Sequence, residues 1–376
     1  MYRGHRVIDG HIHFTLDAEP AFYVDFLSAS GTDAANLAVI TRGNTLPCTP
    51  ESLALKALYP ERFYVCAALD PLEYCRGGDD MGRRLAEYAG RMLSCGCDGI
   101  KMLEGKPQLR KALPVPGFDE PCWEDFWQFA EESQTPLLWH VNDPAAFWDR
   151  ENIPAWAEKA GWFYDESYIN NEAQYTQVLN VLERHPRLKV ILAHAFFMSE
   201  DLDRLGDILS RYPDVMTDLT PGIEMYDAFS QRPEQTRDFF ETFGDRIIYG
   251  TDTGSRFVYG GRGKTFDEKE NTRRHEIVRD FLFGTEPRII SADGHFVHDR
   301  PDFLMMPLGL AGERLDAILS GNFMRFIGGA PKKTDREAAL DECLRLKKAE
   351  PEALRLGFKS NLRNIERAEK YLRKEL

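Results

Sequence analysis

Short apolar runs alternate with amphipathic stretches along most of the chain. The runs are rich in Val, Ile and Phe and are bounded by turn or cap residues, which is typical of buried strands. Strands are predicted at 6–13, 36–42, 62–70, 98–103, 136–141, 189–195, 214–220 and 246–252. Between them, apolar residues spaced by three and four predict helices at 81–93, 123–132, 172–184, 200–211 and 233–243.

Strands that alternate with helices predict a parallel sheet, and eight of them predict a (β/α)8 TIM barrel. The repeat between Asp9 and Asp252 averages about 35 residues, close to the length of a strand, a helix and two loops. A doubly wound open sheet is the alternative, but it normally has fewer strands, and its Gly-rich phosphate turn is missing. We expect residues 1–330 to form the barrel. Residues 331–376 are rich in charged helix formers and predict a helical extension, packed on the barrel or on a neighbouring subunit of a homo-oligomer.

Composition narrows the classes of partner. The 376 residues carry a formal net charge of -14, which argues against a nucleic-acid partner and favours a small-molecule substrate. No apolar run approaches the roughly 18 residues that span a bilayer, and the start lacks the apolar core of a secretory signal. Seven scattered cysteines indicate free thiols in a reducing compartment. We therefore expect a cytoplasmic protein with no membrane partner.

Polar side chains that bind metals stand at the ends of four predicted strands. His11 and His13 close the first strand, and His140, His194 and Asp252 close the fifth, sixth and eighth. Strict alternation would send Asp9, His11 and His13 to one face of the first strand. Since barrel enzymes build their sites at the carboxyl ends of the strands, these residues predict a metal site at one mouth of the barrel.

From residue 8 to about residue 328 the sequence resembles the amidohydrolase superfamily. Within it, the chain is similar to the amidohydrolase-related branch that contains enzymes like aminocarboxymuconate semialdehyde decarboxylase. The motifs that carry the resemblance are IDGHIH, DGIKM, LLWH, VILAHA, IIYGTD and ILSGNFMRFIG. The resemblance implies that His11, His13, His140 and Asp252 hold a divalent metal, usually zinc. It also implies that His194 is a catalytic histidine near water bound to that metal.

Three imidazoles and a carboxylate suit a zinc ion that activates water. Asp252 would then bind the ion and also move the proton, while His194 would orient the water or stabilise an oxyanion. Lys101 leaves open whether the site holds one metal or two, because in some branches of the superfamily a carboxylated lysine at the end of the fourth strand bridges two metals. The motifs favour one zinc, which makes Lys101 an anion-binding or structural lysine. Arg42, Lys106 and Arg256 follow the second, fourth and eighth predicted strands and, with Lys101, predict that the substrate carries a carboxylate.

Three functions stay open from the sequence. The first is hydrolysis of an amide, lactone or ester by zinc-activated water, and the second is a lyase reaction, decarboxylation or hydration, at the same site. The third is a non-catalytic metal-binding barrel, against which His194 argues, because a fifth polar group has no purpose beside a closed structural site. A long aromatic segment, 142–168, follows the fifth strand and predicts a lid or substrate wall.

Overall fold

Eight parallel strands form the centre of the molecule. The computed structural model describes residues 2–41, 44–254, 268–290 and 302–374. The sheet has the order β1 to β8, with strands at Ile8–Ile12, Ala34–Ala38, Phe63–Ala68, Gly99–Gly105, Leu137–Val141, Val190–Leu192, Val215–Asp218 and Ile247–Ile248. Helices flank the sheet, so the predicted TIM barrel is confirmed. A separate antiparallel ribbon contains β9 (Arg288–Ile290) and β10 (Phe303–Met305).

The helices follow the strands in the usual barrel order. In the described part of the chain they are, as α1 to α16, Pro20–Ala29, Thr49–Leu58, Pro71–Arg76, Met81–Ser94, Pro107–Ala112, Glu124–Glu132, Ala155–Lys159, Asn171–Arg184, Leu202–Arg211, Ile223–Gln231, Pro233–Phe243, Glu268–Phe283, Gly312–Asp316, Asn322–Ile327, Arg336–Arg355 and Leu362–Leu372. All five predicted helices occur, and their observed ends differ from the predicted ones by at most two residues. Several begin at a side-chain cap, as α8 does where Asn170 accepts from the Glu172 amide.

The barrel closes between β1 and β8 through backbone hydrogen bonds. The amides of Gly10, Asp252 and His13 donate to the carbonyls of Tyr249, His11 and Thr253, at 2.8, 2.9 and 2.8 Å. These bonds lie at the carboxyl ends of both strands. They bring the first and last predicted ligand positions together.

Strand β1 departs from the strict alternation that the sequence predicts. Its register with β2 shifts between Asp9 and Ile12, which is a bulge. Ile8 belongs to the apolar cluster inside the barrel, whereas Ile12 belongs to the cluster between the barrel and the helices. Asp9 pairs with Ala35, which lies in that outer cluster. The prediction that Asp9 shares a face with both histidines is therefore wrong, because the extra residue re-aims the end of the strand.

The C-terminal helices pack on the outside of the barrel. α15 and α16 contact each other and α2, and Cys343, Leu346 and Ile365 belong to the main hydrophobic core. A buried ion pair fixes the chain before α15: Asp98 accepts from Lys56 Nζ at 2.6 Å and from the Lys332 amide at 2.8 Å. The division of the chain at residues 330 and 331 stays a prediction. No described helix is both long and apolar enough to span a membrane.

Candidate metal centre

Three of the four predicted metal ligands converge at the carboxyl ends of β1 and β8. Ligand atoms of His11, His13 and Asp252 all lie within 4.8 Å of one another, and all three residues are buried. His13 Nε2 is 2.9 Å from Asp252 Oδ1, and His11 Nε2 is 4.0 Å from the same oxygen. Two imidazoles and a carboxylate in this geometry are a donor set that zinc and other divalent ions accept.

The other ring nitrogen of each histidine is bonded to an acceptor. His13 Nδ1 donates to the Ala38 carbonyl at 2.7 Å, and His11 Nδ1 donates to Asp218 Oδ2 at 2.9 Å. A carbonyl or a carboxylate can only accept, so in each neutral ring the proton is on Nδ1 and Nε2 keeps its lone pair. Both imidazoles therefore present a ligating nitrogen to the same point.

Asp218, at the end of β7, is a site residue that the sequence reasoning missed. Its second oxygen, Oδ1, accepts from the His194 amide at 2.8 Å and from the Thr220 amide at 3.1 Å. Burial opposes its ionisation, but the neighbouring His11 lowers the pKa of Asp218 well below its usual range. Its position at the carboxyl end of a predicted strand, the same signal that identified Asp252, was available in the sequence.

His140 and His194 form a second imidazole pair beside the first. His194 Nε2 is 3.1 Å from His140 Nδ1, and the His194 ring centroid is 5.5 Å from that of His11. His140 does not belong to the compact group of three, and it adjoins that group through His194. Burial and the nearby His140 lower the pKa of His194 to about 3, so this ring is neutral at physiological pH.

A left-handed turn places His194 and a phenyl ring over the site. Residues 194, 195, 196 and 197 all have positive φ, between 49° and 60°, although none is glycine. Such a run is unfavourable for L-residues and is found where surrounding contacts enforce it. The Phe197 ring stacks on His194 at 5.0 Å between centroids and meets His140 edge-on at 5.4 Å. The Tyr175 hydroxyl holds the turn by donating to the Phe196 carbonyl at 3.1 Å.

Asp252 is held by an arginine on α12. Arg274 Nη1 donates both to Asp252 Oδ2 and to the Asp252 carbonyl, each at 3.0 Å. Burial disfavours the ionised carboxylate, but the adjacent His13 and Arg274 keep the pKa of Asp252 well below its usual range. Oδ1 faces the imidazoles while Oδ2 is bonded to the guanidinium, so the carboxylate is fixed as an anion in one orientation.

Asp9 has a structural role where β1 meets β8. It accepts from Thr251 Oγ1 at 2.6 Å and from the Thr251 and His11 amides. Burial raises the pKa of Asp9 to about 7, against the effect of these hydrogen bonds. Asp218, and not Asp9, contacts the ring of His11.

The structure places the residues that were predicted to bind substrate in different surroundings. Lys101 is buried, with Nζ 3.1 Å from His11 Nε2, and burial lowers its pKa to about 8. Lys106 Nζ donates to both oxygens of Asp143 at 2.7 Å and lies 4.5 Å from the centre of the Trp162 ring. Lys106 is thus already paired with a carboxylate. Arg42 and Arg256 lie outside the described residues.

One buried nitrogen of the site lacks a partner. His140 Nε2 has no hydrogen bond to any described residue, and the nearest carboxylate oxygen, Asp143 Oδ1, is 3.6 Å away. The other ring nitrogen of His140, Nδ1, faces His194 and adds a third imidazole to the Nε2 atoms of His11 and His13 and to Asp252 Oδ1. The residues present therefore fit a single divalent ion of the zinc type.

Comparison with known proteins agrees with this geometry. A family model described as amidohydrolase matches residues 8–322. None of the curated proteins matches the chain. A TIM-barrel protein from Bordetella bronchiseptica, called uncharacterised, is similar in structure, with a TM-score of 0.52 and 11% identity over 86% of this chain and 98% of that one.

Two decarboxylases share the fold. The 2,6-dihydroxybenzoate decarboxylase from Rhizobium has a TM-score of 0.50 and 13% identity over 86% of this chain and 98% of its own. A dihydroxybenzoic acid decarboxylase from Polaromonas sp. JS666, solved with manganese and the inhibitor 2-nitroresorcinol, has the same TM-score and identity over 86% of this chain and 97% of its own. Because the family model covers well over half of its residues, this chain belongs to the amidohydrolase family, as its motifs predict.

Proposed function

We propose that this protein is a metal-dependent hydrolase of a small, carboxylate-bearing molecule and that His11, His13, His140 and Asp252 hold one zinc ion. The observation that carries the proposal is the convergence of His11, His13 and Asp252 within 4.8 Å at the carboxyl ends of the strands. When bound, the ion supplies Lewis acidity, which polarises a carbonyl oxygen and acidifies water. A small-molecule substrate in a cytoplasmic setting, without nucleic-acid or membrane partners, is part of the same proposal.

The protein side chains divide the remaining work. His194 donates from Nδ1 to the Thr220 carbonyl at 3.2 Å, so Nε2 carries a lone pair that orients water or accepts a hydrogen bond from substrate. Asp252 is the base that takes the proton of the attacking water. The phenyl ring of Phe197 covers both His140 and His194 and limits the access of solvent. Lys101 is the described cation nearest to the imidazoles and is the candidate contact for a substrate carboxylate.

A lyase is the second candidate, and the binding of Asp252 to Arg274 favours it. A carboxylate with one oxygen bonded to a guanidinium is a weak base, and base catalysis by Asp252 is a requirement of the hydrolytic route. Two solved proteins of the same fold are decarboxylases of dihydroxybenzoates. A decarboxylation would use the same side chains to hold the acid and to protonate the carbon that loses carbon dioxide.

Metal analysis and a substrate screen test these proposals together. The purified protein should contain one equivalent of divalent metal per chain, and Asp252→Asn should lower that content. His5→Gln is the matched control, because His5 is bonded to Asp316 far from the barrel mouth. Metal content unaffected by Asp252→Asn, or lowered equally by His5→Gln, would refute the site. Two equivalents, with an added carboxyl group on Lys101, would refute the single ion.

The screen should cover lactones, N-acyl compounds and aromatic carboxylic acids in water labelled with oxygen-18. Incorporation of the label into product identifies a hydrolase. Release of carbon dioxide without incorporation identifies the lyase. Turnover that persists in the metal-free protein contradicts both.

A further inference from the structure

The segment after β5 forms a small aromatic unit with its own apolar cluster. We call residues 143–168 the flap. Phe147, Ala157 and Tyr164 are buried together there, separate from the main core, with Trp162 packed against them. The polar links of the flap to the barrel include Gln108 Nε2 to the Gly161 carbonyl at 2.9 Å and Lys111 Nζ to Ser167 Oγ at 2.5 Å. A unit with an apolar cluster of its own can be released and seated as a whole.

Asp143 is the residue at which the flap, the barrel and the candidate metal centre meet. Its carboxylate accepts two hydrogen bonds of 2.7 Å from Lys106, which follows β4, and one from the Tyr164 hydroxyl of the flap. Its exposed fraction is 4%. Burial opposes ionisation, but Lys106 and His140 keep the pKa of Asp143 well below its usual range. The group is therefore a buried anion that is hydrogen-bonded to Lys106 after β4 and to Tyr164 of the flap.

The geometry of His140 gives this anion a function. His140 Nδ1 points to His194 Nε2 at 3.1 Å, and His140 Nε2 has Asp143 Oδ1 at 3.6 Å and no other acceptor among the described residues. A carboxylate offers about four lone-pair positions, enough for Lys106, Tyr164 and one imidazole proton. A proton held on Nε2 leaves the lone pair on Nδ1, the nitrogen that faces the centre.

We propose that Asp143 is a positioning residue that couples the seating of the flap to the metal centre. When the Tyr164 hydroxyl and Lys106 hold the carboxylate 3.6 Å from His140 Nε2, its negative charge favours the tautomer with the proton on Nε2 and leaves Nδ1 as the nitrogen presented to the ion. When the flap lifts, Tyr164 leaves and the carboxylate is free to turn towards Lys106 alone. The inference rests on the proposed function, since it gives His140 a role as a metal ligand.

Charge and packing support the coupling. Lys106 lies between the Asp143 carboxylate and the face of Trp162, so one ammonium group binds both the anion and a flap ring. Lys106 is thus the anchor of the flap in this network. It differs in this respect from Lys101, whose Nζ faces the imidazole of His11.

Tyr164→Phe is the variant that tests the coupling, because it removes one hydroxyl and keeps the ring in its cluster. Tyr168→Phe is the matched control: Tyr168 packs on Tyr164 at 4.8 Å between centroids, but its hydroxyl has no place in the network. Two quantities are measured on the full protein. One is the amide hydrogen exchange of residues 145–168, and the other is the affinity for Co²⁺, determined by competition with a chelator together with the visible spectrum.

We expect Tyr164→Phe to accelerate exchange in the flap and to weaken Co²⁺ binding by at least about 5-fold, the low end of coupling between two sites. Asp143→Asn should weaken it by about 10- to 100-fold and change the Co²⁺ spectrum, as loss of a partner behind a ligand does. Tyr168→Phe should leave the affinity and the spectrum unchanged.

Several outcomes would overturn the coupling. One is a Tyr164→Phe protein with faster flap exchange but unchanged Co²⁺ affinity, and another is equal weakening by Tyr168→Phe. A third is a folded Asp143→Asn protein with the original spectrum. Failure of the unmodified protein to bind Co²⁺ would instead refute the proposed function, and the coupling with it.

Discussion

Replacement of Asp218 by Asn should weaken metal binding although Asp218 lies behind the ligands. In the structure, Oδ1 of Asp218 accepts from the amides of His194 and Thr220, while Oδ2 accepts from His11 Nδ1. An Asn side chain has one accepting oxygen and one donating NH2 group. Because two backbone donors share Oδ1, the Asn oxygen should remain there, and the NH2 group should then face the Nδ1 proton of His11.

Two facing donors cannot form a hydrogen bond, so His11 must lose its Nδ1 proton or rotate. A neutral ring that shifts its proton to Nε2 has no lone pair left on the nitrogen that faces Asp252. Loss of such a partner behind a ligand typically reduces metal affinity by about 10- to 100-fold, or roughly 1.4 to 2.8 kcal/mol. The unpaired buried donor should also lower the free energy of unfolding by about 1 to 3 kcal/mol.

The assay is competition for Zn²⁺ with a chromogenic chelator, accompanied by thermal unfolding of the metal-free proteins. Asp98→Asn is the matched control, because Asp98 is also a buried carboxylate with several donors but lies at the start of β4, bonded to Lys56, Val65 and Lys332. It should destabilise the fold and leave the Zn²⁺ dissociation constant within about twofold. A folded Asp218→Asn protein that also stays within about twofold would refute the reasoning, as would equal weakening in both variants.

Three further predictions concern stability, each measured by denaturant or thermal unfolding. Gly96→Ala should lower the free energy of unfolding by at least about 2 kcal/mol, because Gly96 has φ +97° and a Cβ there would overlap the Lys333 carbonyl oxygen; an unchanged midpoint would contradict this. Ala195→Gly should stabilise the protein by up to about 1 kcal/mol, because glycine adopts the positive φ of this position without strain. The control Ala193→Gly lies in extended backbone and should destabilise the protein. Equal losses of stability in the two variants would exclude strain at the turn. Burial raises the pKa of Glu104 from 4.5 to about 7, so its contribution to stability is complete below pH 4.5 and falls by up to about 3 kcal/mol as pH rises through 7. Glu104→Gln should therefore stabilise the protein at pH 8 but not at pH 4. Equal effects of this substitution at the two pH values would contradict the prediction.

The fold was readable from the sequence because its signals are local. Each strand is a short apolar run and each helix has its own spacing, so eight βα repeats and their order follow without any long-range contact. The bulge in β1 was not readable. The bulge depends on how residues 9–12 pair with β2 and β8, and these two strands are distant from β1 or from each other in the sequence.

The candidate site was readable only in part. His11, His13 and Asp252 follow from one rule, that polar residues at the carboxyl ends of barrel strands share one mouth. The same rule applied to β7 would have found Asp218. The pairing of Lys106 with Asp143 could not be predicted, because it depends on the position of the flap. An exposed lysine and a paired one are identical in sequence.

The seam between β1 and β8 has a mechanical consequence. Strand β8 is two residues long, and it meets β1 through a few backbone hydrogen bonds. The group of three candidate ligands straddles this joint, with His11 and His13 on one side and Asp252 on the other. An ion bound there would cross-link β1 to β8 at the junction that closes the barrel. Removal of the ion by a chelator would then destabilise the barrel at the junction of β1 and β8, in addition to abolishing the chemistry that the ion supplies.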